Sequence, residues 1–211
     1  MPDFFSRLET LAASLRTFDG AARLAAGLCA AVVLLSVAVN FLLAKEASAA
    51  RSEKRSVVAT GSMLAFFVVY FGVVRLGLGA WPLARTWIGF AVRGLGLAWV
   101  IAGTIVNVLG RFSLGGNWGD QIRIYHDHSL VATGVYGVVR HPLYASLIWM
   151  FFGGALLFQN GLALAANLFL FVPAMYYRAR QEELALCARF PEYDGYRREV
   201  GMFFPKLWSP K

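Results

Sequence analysis

Between Leu143 and Tyr177 the sequence reads LYASLIWMFFGGALLFQNGLALAANLFLFVPAMYY. A helix needs about 20 apolar residues to cross a hydrocarbon core about 30 Å thick. Here two apolar runs, Leu143 to Phe158 and Leu162 to Tyr177, approach that length and are separated only by Gln159, Asn160 and Gly161. So tight a connection predicts an antiparallel helical hairpin. Upstream, Ala21 to Ala44, Val57 to Gly79 and Trp87 to Leu109 form three longer apolar runs. The pattern predicts an all-α integral membrane protein with about five transmembrane helices.

Composition agrees with this. Of 211 residues, 58% are hydrophobic and 15% charged, and the mean hydropathy is +0.58, which excludes disorder, fibrous repeats and most soluble folds. The 20 Lys and Arg against 12 Asp and Glu leave a formal charge of +8. Such a balance suits nucleic acid or an anionic membrane surface, and the apolar excess favours membrane lipids and no nucleic acid. Cys29 and Cys187 are too few for a disulfide framework, so both thiols are expected free. Residues Met1 to Asp19 carry acidic as well as basic groups and no small-residue cleavage site, so the first span is expected to do the targeting.

Charge also orients the spans. Lys45, Arg51, Lys54, Arg55, Arg111, Arg123, Arg140 and seven cations from Arg178 to Lys211 share one side, against Arg7, Arg16, Arg23, Arg75 and Arg85 on the other. This predicts an external amino terminus and a cytoplasmic carboxyl terminus in a bacterial-type inner membrane. Before the first span, Phe4, Leu8, Leu11, Leu15 and Phe18 recur at helical spacing and predict an amphipathic interfacial helix over residues 1–20. Three spans then occupy 21–110, and 111–211 holds the hairpin and a cytoplasmic helical tail. Arg93, inside the third run, reads as a snorkelling side chain without a role.

Polar chemistry concentrates in two segments on the cytoplasmic side, Gly115 to Tyr144 and Arg178 to Pro205. Pro142 suits the first turn of a helix, which puts Arg140 and His141 at a helix amino terminus, where free N–H groups attract anions. Helical spacing puts Arg178 and Glu182 on one face. They either pair with each other or, with Glu183, hold the charged ends of a zwitterionic ligand, and both readings stand at this stage.

These residues carry a resemblance. Gly116 to Trp118, His128, Thr133 to Tyr136 and Arg140 to Tyr144 give Gly-Asn-Trp, a His, Thr-Gly-Xaa-Tyr and Arg-His-Pro-Xaa-Tyr in order. Beyond the hairpin follow Arg178, Glu182, Glu183, Leu184, Phe190, Tyr193, Tyr196 and Pro205. The two motifs closely resemble the isoprenylcysteine carboxyl methyltransferase and phospholipid methyltransferase superfamily over roughly the last hundred residues. The resemblance implies an integral membrane enzyme that takes S-adenosylmethionine from the cytosol and methylates a lipophilic small molecule or prenylated substrate arriving from the bilayer. It implies cofactor contacts at Tyr136, His141 and Glu183, with Arg140, Tyr144 and Glu182 beside them, and an acceptor-facing Arg178. On that reading Arg178 and Glu182 are the candidate catalytic residues. Carboxyl O-methylation of an isoprenylcysteine-like substrate is the expected reaction, with a phospholipid amine or a small thiol as the alternative acceptor.

Trp149 is the candidate substrate-binding residue of the hairpin, which Met150, Phe151, Phe152, Phe169 and Phe171 line either as a lateral opening for a lipid tail or as ordinary lipid-facing and core surface. The chain lacks a glycine-rich nucleotide fingerprint after a strand, consistent with a cofactor site unlike that of soluble Rossmann enzymes. His126, His128 and His141 make a poor metal set, because the first two flank Asp127 on a polar loop, and no metal is expected. A sterol-reductase-like enzyme using NADPH is a rival, opposed by Leu143 where such reductases commonly have Asn. A non-enzymatic scaffold with a lipid-binding basic face is another, and it leaves both ordered motifs unused.

Overall fold

The computed structural model describes residues 17–44, 53–54, 57–83, 86–114, 122–123 and 130–206. Its helices are α1 Phe18–Ala44, α2 Val57–Leu76, α3 Trp87–Leu114, α4 Pro142–Leu157, α5 Gly161–Ala166, α6 Val172–Arg189 and α7 Tyr193–Glu199. A π-helical turn, Asn167–Phe171, joins α5 to α6. Pro173 follows at once and has no N–H to give the carbonyl four residues back, so widening the turn there keeps the rod continuous. Glu53–Lys54 (β1) and Ile122–Arg123 (β2) form a two-residue antiparallel pair, a small addition to the all-helical expectation.

All five apolar runs are helical. Among the described residues three helices are long and apolar enough to cross a membrane, Phe18–Asn40, Trp87–Leu114 and Gly161–Arg189, and Met63–Leu76 and Pro142–Leu157 are shorter apolar helices. At 16 residues, α4 is about 24 Å long, less than a full hydrocarbon thickness. The outward faces are apolar: Leu34, Leu35, Val68, Phe71 and Phe169 are exposed, Phe169 by 75%. That inverts the arrangement water selects and suits lipid.

Among the described residues the first helix begins at Phe18, where Thr17 caps it by accepting from the Gly20 amide at 3.1 Å. Phe4, Leu8, Leu11 and Leu15 lie outside the described residues. Arg93 does not snorkel. It is buried, faces Asp19 at 3.4 Å, and donates to the Leu83 carbonyl at 3.3 Å and Gln159 Oε1 at 3.4 Å. Desolvation at this depth favours a partner inside the protein once one is in reach.

That cluster sits where the α4–α5 turn meets the α2–α3 connection. The Trp81 amide donates to the Gln159 carbonyl and the Gly161 amide to Gly79, each at 2.9 Å. Gly79 has φ +72°, and a Cβ there would collide with Leu162, so only glycine fits. Asn160 caps α5 through the Ala163 amide at 2.8 Å and donates to the carbonyls of Val73 and Leu78.

Helices α3 and α4 pack through small residues. A Cβ on Gly96 would lie 2.6 Å from the Gly153 carbonyl oxygen, and one on Gly103 would lie 2.7 Å from that of Ser146. In lipid, helices gain little from burying apolar surface against one another, and close backbone approach supplies the attraction. On the other flank α2 contributes Phe66, stacked on Phe171 at 4.4 Å and edge-on to Phe151 at 4.9 Å. The Tyr70 hydroxyl donates to the Phe151 carbonyl at 2.7 Å.

Candidate active site at the amino terminus of α4

Pro142 opens α4 and leaves His141 outside the helical conformation at φ −122°, ψ 65°. Tyr144, one turn on, stacks on the His141 ring at 5.7 Å with 14° between planes. The turn is held from α3: Asn107 Nδ2 donates to Ser146 Oγ at 2.7 Å, Ser146 Oγ donates to the Leu143 carbonyl at 2.8 Å, and Arg111 Nε donates to Asn107 Oδ1 at 3.0 Å.

The antiparallel hairpin brings Glu182 and Glu183 of α6 to this turn. His141 Nδ1 lies 3.5 Å from Glu182 Oε2, and Nε2 lies 3.3 Å from Glu183 Oε1. Glu183 also accepts from Arg140 Nε at 2.9 Å and from Arg180 Nη1 at 3.1 Å, and Arg140 Nη2 forms an ion pair with its Oε1 at 2.8 Å. The two adjacent glutamates differ in access: the side chain of Glu183 is 1% exposed and that of Glu182 36%.

The carboxyl-terminal segment closes a third side. Phe190 precedes Pro191 and is extended at φ −121°, ψ 103°, as a residue before proline prefers, so α6 stops and α7 folds back. The amides of Arg140 and His141 donate to the carbonyls of Gly201 and Met202 at 2.8 and 3.1 Å. The Tyr196 hydroxyl donates to the Tyr136 carbonyl at 2.5 Å, which fixes the 3₁₀ turn Gly134–Gly137.

Burial alone would lower the His141 pKa, but the hydrogen bonds and charges of Glu182 and Glu183 outweigh it and hold the value above that of an ordinary imidazole. Burial pushes the Tyr136 hydroxyl well up and that of Tyr196 up to about 12. The phenols are therefore neutral at neutral pH.

The structure thus gathers Tyr136, Arg140, His141, Tyr144, Glu182 and Glu183. Arg178 joins them from α6, with its Cζ 5.9 Å from the centroid of the Tyr144 ring and Nη1 3.4 Å from Met63 Sδ. Glu182 turns to His141, so the simple helix-face pair of Arg178 and Glu182 gives way to two separate contacts. Trp149 is elsewhere. Five residues beyond Tyr144, it points about 140° around the helix, edge-on to Trp99 at 5.7 Å and tilted against Phe204 at 5.8 Å. Gly116 to Trp118, His126 and His128 lie outside the described residues. Sequence reasoning gave no role to Arg180, Asn107, Ser146 or the backbone of Gly201 and Met202. An Asn and a Ser within apolar runs were a usable signal for two of these.

Residues 95–188 match the sequence model of the isoprenylcysteine carboxyl methyltransferase (ICMT) family. Protein-S-isoprenylcysteine O-methyltransferase of Saccharomyces cerevisiae is 33% identical over 114 residues, 53% of this chain and 48% of that protein. Nickel-cobalt-cadmium resistance protein NccN of Alcaligenes xylosoxydans xylosoxydans is 33% identical over 124 residues, 58% of this chain and 54% of that protein. Cobalt-zinc-cadmium resistance protein CzcN of Cupriavidus metallidurans is 30% identical over 142 residues, 66% and 61% respectively. The matches thus span about half to three-fifths of those relatives' own length. A solved structure of the eukaryotic intramembrane Ras methyltransferase ICMT superposes with a TM-score of 0.53 over 75% of this chain and 56% of that one, at 22% identity, a likeness of fold. The ordered motifs and the matched segment thus make the region from residue 95 to residue 188 similar to the isoprenylcysteine carboxyl methyltransferase family.

Proposed function

We propose that the protein transfers a methyl group from S-adenosylmethionine to a lipophilic acceptor in the membrane, and that the acceptor group is a carboxylate of the isoprenylcysteine type. The observation that carries this reading is the open carboxylate of Glu182 beside His141 and Tyr144, with the Arg178 guanidinium 5.9 Å from the centre of the Tyr144 ring. The residues fit the cofactor's chemistry. Its ammonium and sulfonium need a carboxylate and aromatic faces, which Glu182, Tyr136 and Tyr144 supply.

When bound, the cofactor supplies a methyl group on a sulfonium whose departure needs no acid. The chain's part is to place and desolvate the partners. Tyr136 and His141 are buried and exclude water from their side of the site. Arg178 stands where the apolar part of α6 ends, so its stem lies along apolar surface while its planar fork orients an incoming carboxylate. A carboxylate arrives ionised and needs no base. An amine acceptor would have to lose a proton, and a His141 with both ring nitrogens engaged by glutamates and the neutral tyrosines suit that step poorly. The basic residues gathered at this end favour a cytoplasmic orientation in an inner membrane.

Calorimetry on detergent-solubilised protein tests the cofactor: S-adenosylmethionine should bind and NADPH should not, and the reverse result would refute the reading. Arg178→Ala should keep expression and cofactor affinity while turnover of a prenylcysteine acceptor falls at least about tenfold, roughly 1.4 kcal/mol in the barrier. Lysine should rescue in part, since it restores charge without the bidentate fork. Unchanged turnover in Arg178→Ala would take Arg178 out of the acceptor site.

A further inference from the structure

The paired glutamates do different work. Glu183 is enclosed, and its Oε1 receives Arg140 Nε, Arg140 Nη2 and His141 Nε2 while Oε2 receives Arg180 Nη1. An ionised carboxylate has about four lone-pair sites, two on each oxygen, so Oε1 is fully used and Oε2 keeps one. Arg140 is equally committed, since its remaining Nη1 donates to the carbonyls of Arg197 at 2.9 Å and Val200. One guanidinium therefore joins α6 to the segment that follows α7. That segment, Val200 to Phe204, lies along the His141 turn through the two backbone bonds from Arg140 and His141. Phe203 is buried and meets the His141 ring edge-on at 6.3 Å.

We infer that Glu183 is a positioning residue rather than a cofactor ligand, and that through Arg140 it fastens the strap Val200–Phe204 as a working wall of the site, leaving Glu182 as the carboxylate that meets the ligand. This rests on reading the site as a cofactor site. Removing the charge of Glu183 leaves the Arg140 fork without its buried anchor and loosens the strap. A methyl group at Gly201 does the same from the other side, because it would collide with the Phe204 carbonyl oxygen while Arg140, His141 and Glu183 stay chemically intact.

Arg198 is exposed at the entry to the strap and offers trypsin a cleavage site, so the tether is readable without any ligand. In ligand-free protein, Glu183→Gln and Gly201→Ala should each be cut after Arg198 at least about tenfold faster than wild type. Both should bind S-adenosylhomocysteine at least about tenfold more weakly in calorimetry, with the KM for a prenylcysteine acceptor unchanged. Weakened binding in Glu183→Gln with wild-type cleavage would make Glu183 a direct ligand and overturn the inference. Faster cleavage in Gly201→Ala with wild-type binding would remove the strap from the site and overturn it as well. Should Glu183→Gln not fold, Arg140→Lys tests the same tether, and wild-type cleavage and binding in it would count against the inference. Failure of the wild-type protein to bind S-adenosylhomocysteine would instead strike at the proposed function, while the ligand-free cleavage rates would still decide whether Glu183 holds the strap.

Discussion

Among the described residues the bundle holds one arginine–carboxylate cluster at each end, and they are built differently. At the α4–α5 turn, Arg93 meets Asp19, Leu83 and Gln159 at 3.3 to 3.4 Å. At the opposite end Arg140 grips Glu183 at 2.8 to 2.9 Å, with His141 and Arg180 on the same carboxylate. Around Arg93 the partners come from α1, α3 and two connections, and Phe90 lies 5.7 Å from the guanidinium. Around Arg140 the closed ion pair sits beside an open carboxylate, Glu182, a stacked histidine–tyrosine pair and a second guanidinium. A buried ion pair alone marks a joint. An adjacent charge left accessible within a rigid, desolvated frame is what makes a binding site.

The comparison breaks most readily at His141, whose ring touches both glutamates. His141→Ala should weaken S-adenosylmethionine binding at least about a hundredfold, roughly 2.8 kcal/mol, in protein that still expresses and extracts as wild type. Near-wild-type affinity in calorimetry would reduce the Arg140 end to another joint.

The Arg93 end should respond in stability and not in binding. Truncating one partner of a fully buried pair costs about 3–5 kcal/mol, but the side chain of Asp19 is 30% exposed and the contacts are long, so about 2 kcal/mol is expected for Arg93→Met. Thermal unfolding in detergent measures it, with cofactor affinity unchanged. A loss of affinity would mean that the two ends are coupled through α3.

The smallest effect is the dependence on pH. His141 has a folded-state pKa above its unfolded value, which is about 6.5. Its contribution to stability is therefore complete below that pH and is lost as pH rises through the folded value. The midpoint of thermal unfolding should fall across that window by an amount that His141→Gln abolishes. The same slope in wild type and variant would mean that the imidazole is not held protonated by the two glutamates.

Hydropathy alone located the helices, because a bilayer rewards long apolar runs whatever their partners, and the tight Gln159-Asn160-Gly161 connection alone implied the hairpin. The Arg-His-Pro-Xaa-Tyr and Glu-Glu motifs likewise stood out, since charge is costly near lipid and clusters where chemistry repays it. The α3–α4 seam left a signal that the sequence reading did not use, Gly96, Gly103 and Gly110 at seven-residue intervals, two helical turns apart on one face.

Which glutamate is closed and which open was not legible. Glu182 and Glu183 are neighbours of one residue type, and only the rotation of α6 against His141 sends one to Arg140 and Arg180 and leaves the other partly exposed. Arg93 was misplaced for the same reason: periodicity shows that an arginine lies in an apolar helix, while its partners on α1 and two connections are set by packing. The strap was hidden more deeply still, because it binds the His141 turn through backbone carbonyls, which every residue carries and no sequence pattern distinguishes. Sequence determined where the chain enters lipid and which residue types gather at its polar boundary, since those follow from local transfer energies. Tertiary structure decided which of those residues spend their hydrogen bonds on the frame and which keep them for a ligand, since that depends on distances between segments far apart in the chain.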